Sequence, residues 1–360
     1  MKILHLHTKI NLACGISKTI FLIVNNLKGD FEHKVFSLGG DAVPKFKNAG
    51  ISICSSKCEK RGAIQTIRIL NELINIIKEQ KIDIIHSHHR YFDLIAFIIT
   101  KFVPVKTITS VQSKVYGRKI FSYKADYLVA CSNSIKDHLI NYFRINSDRI
   151  TVIHNFIDPT DAIIKIEKSV LRRELGLIDQ SIIIGFVGRF SRSEKGVDVL
   201  LQSFKKLSFD NNQIRLLLIG DGKDIKFIND FIVTHNLKAL VLPSQENIFD
   251  FYNIIDIVVM PSRVEPFGIV AVEAGMMKKP LVATDVDGLR EIVDDGVNGS
   301  LFLYENVESL TETLKVLIND SLMRIKFGNE LYKKVINNFS SEIKIPLYEQ
   351  TYQQLMLGKR

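Results

Sequence analysis

Residues 261–298, PSRVEPFGIVAVEAGMMKKPLVATDVDGLREIVDDGVN, constrain the fold more than any other stretch. They follow an apolar run, 254–260, that reads as a buried strand. Pro261, Ser262 and Pro266 end that strand and turn the chain. Residues 268–277, GIVAVEAGMM, are apolar almost all round and read as a buried helix. Residues 280–283 read as a second short strand. Strand, loop, helix and strand in that order form one unit of a parallel sheet. Its loop lies at the carboxyl end of a strand, where open α/β sheets bind ligands.

Two carboxylates mark the unit. Glu265 is in the loop, and Glu273 follows eight positions later on the helix. A helix from 267 to 273 climbs about 9 Å, so the two acids address opposite ends of one ligand. Between them the amides of Phe267, Gly268 and Ile269 open the helix at its positive end, suited to an anion. Acid, anion cradle and acid suit a sugar, a diphosphate and a ribose laid in a row. Taken alone, Glu265 also reads as a surface turn and Glu273 as a satisfied buried acid. An unpaired carboxylate in an apolar helix is costly, so Glu273 needs a partner.

At E-P-F-G-I-V-A-V-E, with P-S before it and P-L-V-A-T and D-G-L-R-E-I-V after it, the chain resembles the retaining, nucleotide-sugar-dependent glycosyltransferases of family 4. That resemblance implies the GT-B fold, an α/β arrangement of two Rossmann-like doubly wound domains facing across a cleft. It covers nearly the whole chain, closely over 182–299 and loosely over 1–160. The implied reaction moves a sugar from a nucleoside diphosphate sugar to an acceptor, with retention at the anomeric carbon. It needs no metal and no other cofactor. Glu265 would bind the hydroxyls of the donor sugar and Glu273 those of the ribose.

The pattern extends to both sides. Residues 182–187 read as a buried strand that turns at Gly188-Arg189-Phe190, and a helix is expected over 194–207 with Lys195-Gly196 at its start. A lysine at a helix N-terminus opposes the macrodipole, so a bound anion would account for its place. Arg189 and Lys195 would then neutralise the leaving diphosphate, in line with the family pattern G-R-x-x-x-x-x-K-G. Near the N-terminus, strand 2–7 leads to a loop and a helix over 16–27. The family has a glycine-rich loop there, and Cys14-Gly15 is half of it. Gly15 allows close approach of a phosphate. Strand 83–87 ends in His86, His88 and His89. No carboxylate is spaced to complete a metal site with them, and His86 or His88 is expected to contact donor or acceptor. Gln112 stands where many relatives place a sugar-contacting histidine. Phe156 stands where relatives place a glycine at the crossover between domains.

With 360 residues, 46% hydrophobic and 24% charged, the chain is long enough for two domains. The boundaries are expected at 1–158 for an acceptor domain, 159–340 for a nucleotide-sugar domain, and 341–360 for a helix returning to the first domain. The longest wholly apolar run is residues 94–99, too short to span a membrane. No secretory signal is read at the start, and a cytoplasmic location is expected. Cys14, Cys54, Cys58 and Cys131 lack metal-ligand spacing and read as reduced structural thiols.

The formal charge of +9 is uneven. Residues 1–160 hold 23 Lys+Arg against 12 Asp+Glu, and 161–360 hold 25 against 27. Lys101, Lys106, Lys114, Arg118, Lys119 and Lys124 follow one another with no intervening acid. Such a stretch suits an anionic membrane surface or an anionic acceptor. No nucleic-acid-binding motif accompanies it, so nucleic acid is not expected. A G-x-G-x-x-G fingerprint and a P-loop are both absent, which argues against a dehydrogenase and a P-loop NTPase. The expected acceptor is a saccharide or lipid-linked saccharide in surface polysaccharide or lipopolysaccharide synthesis, with the protein peripheral on the inner membrane. An epimerase or phosphorylase of the same fold, or a bilobal sugar-binding protein, are the other classes.

Overall fold

The structure is a computed structural model describing residues 1–12, 14–56, 62–177, 180–210 and 213–358. Cys58 lies outside the described residues, and Cys14, Cys54 and Cys131 are not in disulfides. The chain divides into two compact units, residues 1–156 with 341–360, and residues 157–340. The division falls two residues before the boundary drawn from sequence.

The first unit is built on β1 (Lys2–His7), β2 (Glu32–Ser37), β3 (Ser52–Ser55), β4 (Ile84–Ser87), β5 (Lys106–Val111), β6 (Tyr127–Ala130) and β7 (Ile150–Val152). They pair in the order β3-β2-β1-β4-β5-β6-β7, all parallel. The second unit is built on β8 (Ile182–Val187), β9 (Ile214–Ile219), β10 (Ala239–Leu242), β11 (Ile257–Met260), β12 (Leu281–Thr284) and β13 (Ser300–Phe302). Their order is β10-β9-β8-β11-β12-β13, again all parallel. Helices cover both faces of such sheets, which is why β11 and β12 are buried at every position and read as unbroken apolar runs. Strand order reverses between β1 and β4 and between β8 and β11, so each unit is doubly wound with its switch point there.

Packing fixes the helices on these sheets. Phe204 of helix Val197–Asp210 is fully buried in the second unit's core with Leu216, Leu218 and Leu314. Cutting it back to alanine would cost about 3–5 kcal/mol. In the first unit, helix Ser341–Met356 presents Ile345, Tyr348 and Tyr352, spaced three and four apart, to Ile3, Ile84, Ile108 and Val129. Phe156 joins the same cluster, 2% exposed and against Tyr348. A bulky residue replaces the family's usual glycine there because its side chain fills that core.

One expected helix is two. A single turn, Arg192–Lys195, stops at Gly196, and helix Val197–Asp210 begins after it. Gly196 has φ +63°, and a Cβ there would lie 1.9 Å from the carbonyl oxygen of Pro261. Lys195 is therefore at the carboxyl end of a turn, where a cation is favoured. The dipole argument for an anion beside it fails, because the helix start it assumed is a helical end.

Candidate functional site

The site grows from the carboxyl ends of β8 and β11, at the switch point of the second unit. β8 delivers Gly188 and Arg189, and β11 delivers the loop 261–268. The two loops bring Lys195 and Glu265 together, although 70 residues separate them: Nζ lies 2.5 Å from Oε2. The hydroxyl of Ser262 donates to the same carboxylate oxygen at 3.0 Å. Glu265 is buried at 6% exposure. Its main chain is fixed as well. Its amide donates to Asp287 at 3.3 Å, and its carbonyl accepts from the Gly288 amide at 3.1 Å.

Helix Ile269–Met276 starts immediately after the left-handed Gly268, φ +107°. The amides of Gly268 and Ile269 therefore open the helix, where no intrahelical acceptor exists. Phe267 is buried against Phe339, so its side chain anchors the loop in the core. Glu273 lies farther along the same helix, 5% exposed, and accepts from the Tyr252 hydroxyl at 3.1 Å. Burial first, and then the charge of Glu273, push the Tyr252 hydroxyl well above its ordinary range, so it remains a neutral donor. Arg189 is exposed and pairs with Glu194 at 2.9 Å.

Sequence reading missed Ser262, Tyr252 and Asp287 as partners of the two acids. Ser262 was legible only as part of a turn. Tyr252 comes from a different helix, Ile248–Ile254, and no spacing signals that contact. Asp287 occupies a place where the family usually has glycine. It adopts φ +42°, the left-handed region, and its carboxylate receives the Glu265 amide.

A cavity of about 470 Å³ lies at the other end of the second sheet, around Arg172, Ser181 and Asp256. Arg172 there already donates to the carbonyl and hydroxyl oxygens of Ser181 and pairs with Asp256. It is a brace between strand starts, away from the switch point.

In the first unit the expected contacts are placed differently. Gly15 opens helix Gly15–Asn26, and Gln112 is half-buried directly after β5. His86 and His88 are 0% and 2% exposed. Two positions apart, they point to one face of the sheet, the face under helix Ser341–Met356. His86 Nδ1 bonds the Tyr352 hydroxyl at 2.6 Å and its Nε2 the Ser110 hydroxyl at 2.8 Å. His88 Nε2 shares a hydrogen bond with His5 Nδ1 at 3.0 Å, and His5 Nε2 one with His33 Nδ1 at 2.9 Å. The expectation that His86 or His88 touches a sugar is corrected: both rings are enclosed in protein. Burial first, then neighbouring imidazoles, hold His5, His86 and His88 well below the ordinary histidine range. Their ligating atoms lie within 4.8 Å of one another, and hydrogen bonds already engage both nitrogens of His5 and His86 and Nε2 of His88.

The cationic stretch of the first unit carries apolar side chains too. Tyr116, Ile120 and Phe121 are 65%, 76% and 58% exposed among Lys114, Arg118 and Lys119. No helix of the described residues is long and apolar enough to cross a membrane.

Two parallel, doubly wound α/β units are the two Rossmann-like domains of the GT-B fold. The chain belongs to glycosyltransferase family 4: residues 14–161 match Glycosyltransferase Family 4, and residues 167–334 match Glycosyl transferases group 1. It is 30% identical over 360 residues to an uncharacterized glycosyltransferase of Methanocaldococcus jannaschii, covering 95% of each chain. It is 28% identical over 247 residues to a capsular polysaccharide biosynthesis glycosyltransferase of Staphylococcus aureus, covering 66% of this chain and 64% of that one. An Anabaena structure solved with UDP-glucose superposes with a TM-score of 0.87 at 19% identity, covering 98% of this chain and 100% of the other.

Proposed function

We propose that this glycosyltransferase moves a sugar, with retention, from a nucleoside diphosphate sugar to a saccharide or lipid-linked saccharide of a surface polysaccharide or lipopolysaccharide. The observation that carries this reading is the Lys195–Glu265 pair, 2.5 Å apart, where the turn after β8 meets the loop that leads into helix Ile269–Met276. As the glycosidic bond breaks, negative charge grows on the leaving diphosphate. Lys195 and Arg189, with the amides of Gly268 and Ile269, neutralise it, which is electrostatic stabilisation of the transition state. Glu265 holds the sugar hydroxyls and Glu273 the ribose. The leaving phosphate takes the acceptor proton, so no side chain serves as covalent nucleophile. The reaction in this reading requires no metal, because these groups already meet the charge of the diphosphate.

The Anabaena structure's UDP-glucose supports a nucleotide-sugar donor, and the S. aureus relative's role in capsular polysaccharide synthesis supports a saccharide acceptor. The exposed cations and apolar side chains at 114–121 support docking on an anionic membrane surface, where a lipid-linked acceptor would be displayed.

The test is product analysis with UDP-, GDP- and ADP-sugars, alone and with lipid-linked saccharides. The expected product keeps the anomeric configuration of the donor and needs the acceptor. An inverted product contradicts the mechanism, and conversion of the donor without acceptor points instead to an epimerase. Neutralising Lys114, Arg118, Lys119 and Lys124 should abolish binding to anionic vesicles. Unchanged binding contradicts the membrane reading alone.

A further inference from the structure

The loops carrying Lys195 and Glu265 are joined by two ion pairs. The inner one is Lys195–Glu265 itself. The outer one is formed by Arg263, two residues before Glu265, and Asp198, three residues after Lys195. Arg263 Nη1 and Nη2 donate to the two oxygens of Asp198 at 2.8 and 2.9 Å, a two-pronged bond with fixed geometry. Both side chains are 18% exposed. Arg263 also donates through Nε to Glu305 at 2.5 Å and through Nη1 to the Arg192 carbonyl oxygen. Glu305 sits in the left-handed region at φ +54°, a conformation a glutamate adopts only at some cost. The main chains meet beside this clamp. The amides of Arg263 and Val264 both donate to the Glu194 carbonyl oxygen, at 2.8 and 3.2 Å.

The inner pair cannot survive substrate binding in the proposed reaction. Lys195 must turn to the diphosphate and Glu265 to the sugar, so the contact that closes the loops in the free protein is lost. The outer pair touches neither group and remains. We propose that Arg263 is a positioning residue, holding the loops of Lys195 and Glu265 at working separation through Asp198 and the Arg192 carbonyl once the donor has parted the inner pair. This rests on the roles given to Lys195 and Glu265 above. A lysine cannot replace the arginine, because it keeps the charge and loses the planar fork.

The test compares wild type with Arg263→Lys, Asp198→Asn and the double variant. Each is assayed for turnover of UDP-, GDP- and ADP-glucose with the lipid-linked saccharides, affinity for UDP, GDP and ADP, and melting temperature. The expected result is a 10- to 100-fold fall in turnover for either single variant, the range a misplacement of about 1 Å produces. The double variant should lose little more, because the two residues act as one unit. Diphosphate affinity should fall far less than turnover, since the helix amides and Glu273 still hold the diphosphate while Lys195 acts most on the charge that grows in the transition state. A merely structural role would lower melting temperature and affinity together with turnover, and that outcome overturns the proposal. Full turnover in both single variants also overturns it. Glu265→Gln separates the failures: an active Glu265→Gln sinks the site assignment beneath the proposal. An inactive Glu265→Gln beside a fully active Arg263→Lys sinks the clamp alone.

Discussion

Glu265 and Glu273 are equally buried but differently engaged. Glu265 faces an ammonium and a hydroxyl, Lys195 and Ser262, from its own switch point. Glu273 faces the neutral Tyr252 hydroxyl. In the proposed role the Glu273 carboxylate, which accepts from the Tyr252 hydroxyl, also accepts from the ribose hydroxyls. Glu273→Gln should therefore weaken donor binding by about 1.5–3 kcal/mol, roughly 10- to 150-fold in Kd, while turnover at saturating donor stays near wild type. Titration calorimetry with the nucleoside diphosphate measures the first and steady-state kinetics the second. A fall in turnover with affinity unchanged would contradict the ribose role. At this scale the sequence was informative about which residues matter, because the glutamates and the amides between them lie within nine residues of one another. It was silent about Tyr252 and Asp287, whose contacts depend on how separate segments meet. His86 and His88 show the converse. Their place at the end of a strand was legible, but that place does not say whether their rings meet solvent or another helix.

At the scale of elements, the break at Gly196 matters most. It splits an expected helix and lets the Pro261 carbonyl approach, which brings the two loops within reach. Gly196→Ala would meet both a left-handed backbone and that carbonyl, whereas Gly176→Ala would meet a left-handed backbone, φ +65°, with open space around it. Gly176→Ala should cost on the order of 1 kcal/mol. Gly196→Ala should cost more, about 2–4 kcal/mol, and lose turnover as Lys195 and Glu265 separate. Urea unfolding of the pair checks this, and equal costs would contradict the close approach. Most elements were legible because parallel strands buried on both faces appear as short apolar runs. The break was not legible, since a glycine inside an amphipathic pattern marks a stop only when something occupies the space its side chain would fill.

At the scale of the molecule, the first unit buries a row of imidazoles. His7 and His33 are held at about 4, against an ordinary 6.5, with burial the first cause. His5, His86 and His88 are lowered as well. All are neutral when folded, whereas the unfolded chain takes up protons below about 6.5. Stability from this source is therefore complete above pH 6.5 and is lost as pH falls from there towards 4. Each histidine contributes a slope of about 1.4 kcal/mol per pH unit in that window. Urea midpoints at pH 7.5, 6.0 and 5.0 should fall steeply between the last two. A flat profile over that range would contradict the buried, neutral row. Tyr352 ties helix Ser341–Met356 to this row, so acid should loosen that helix first, detectable by amide exchange.

A nucleotide-sugar site at the switch point of the second unit is tested most directly by melting temperature with and without candidate donors. UDP-, GDP- and ADP-sugars are added at millimolar concentration in the presence of a chelator, to wild type and to Glu273→Gln. A ligand that binds only the folded state stabilises it by about 2.7 kcal/mol at 100 times its Kd. A rise of several degrees is expected with donors of one base, without metal, and a smaller rise in Glu273→Gln. No rise with any donor, or an equal rise in both proteins, would contradict it.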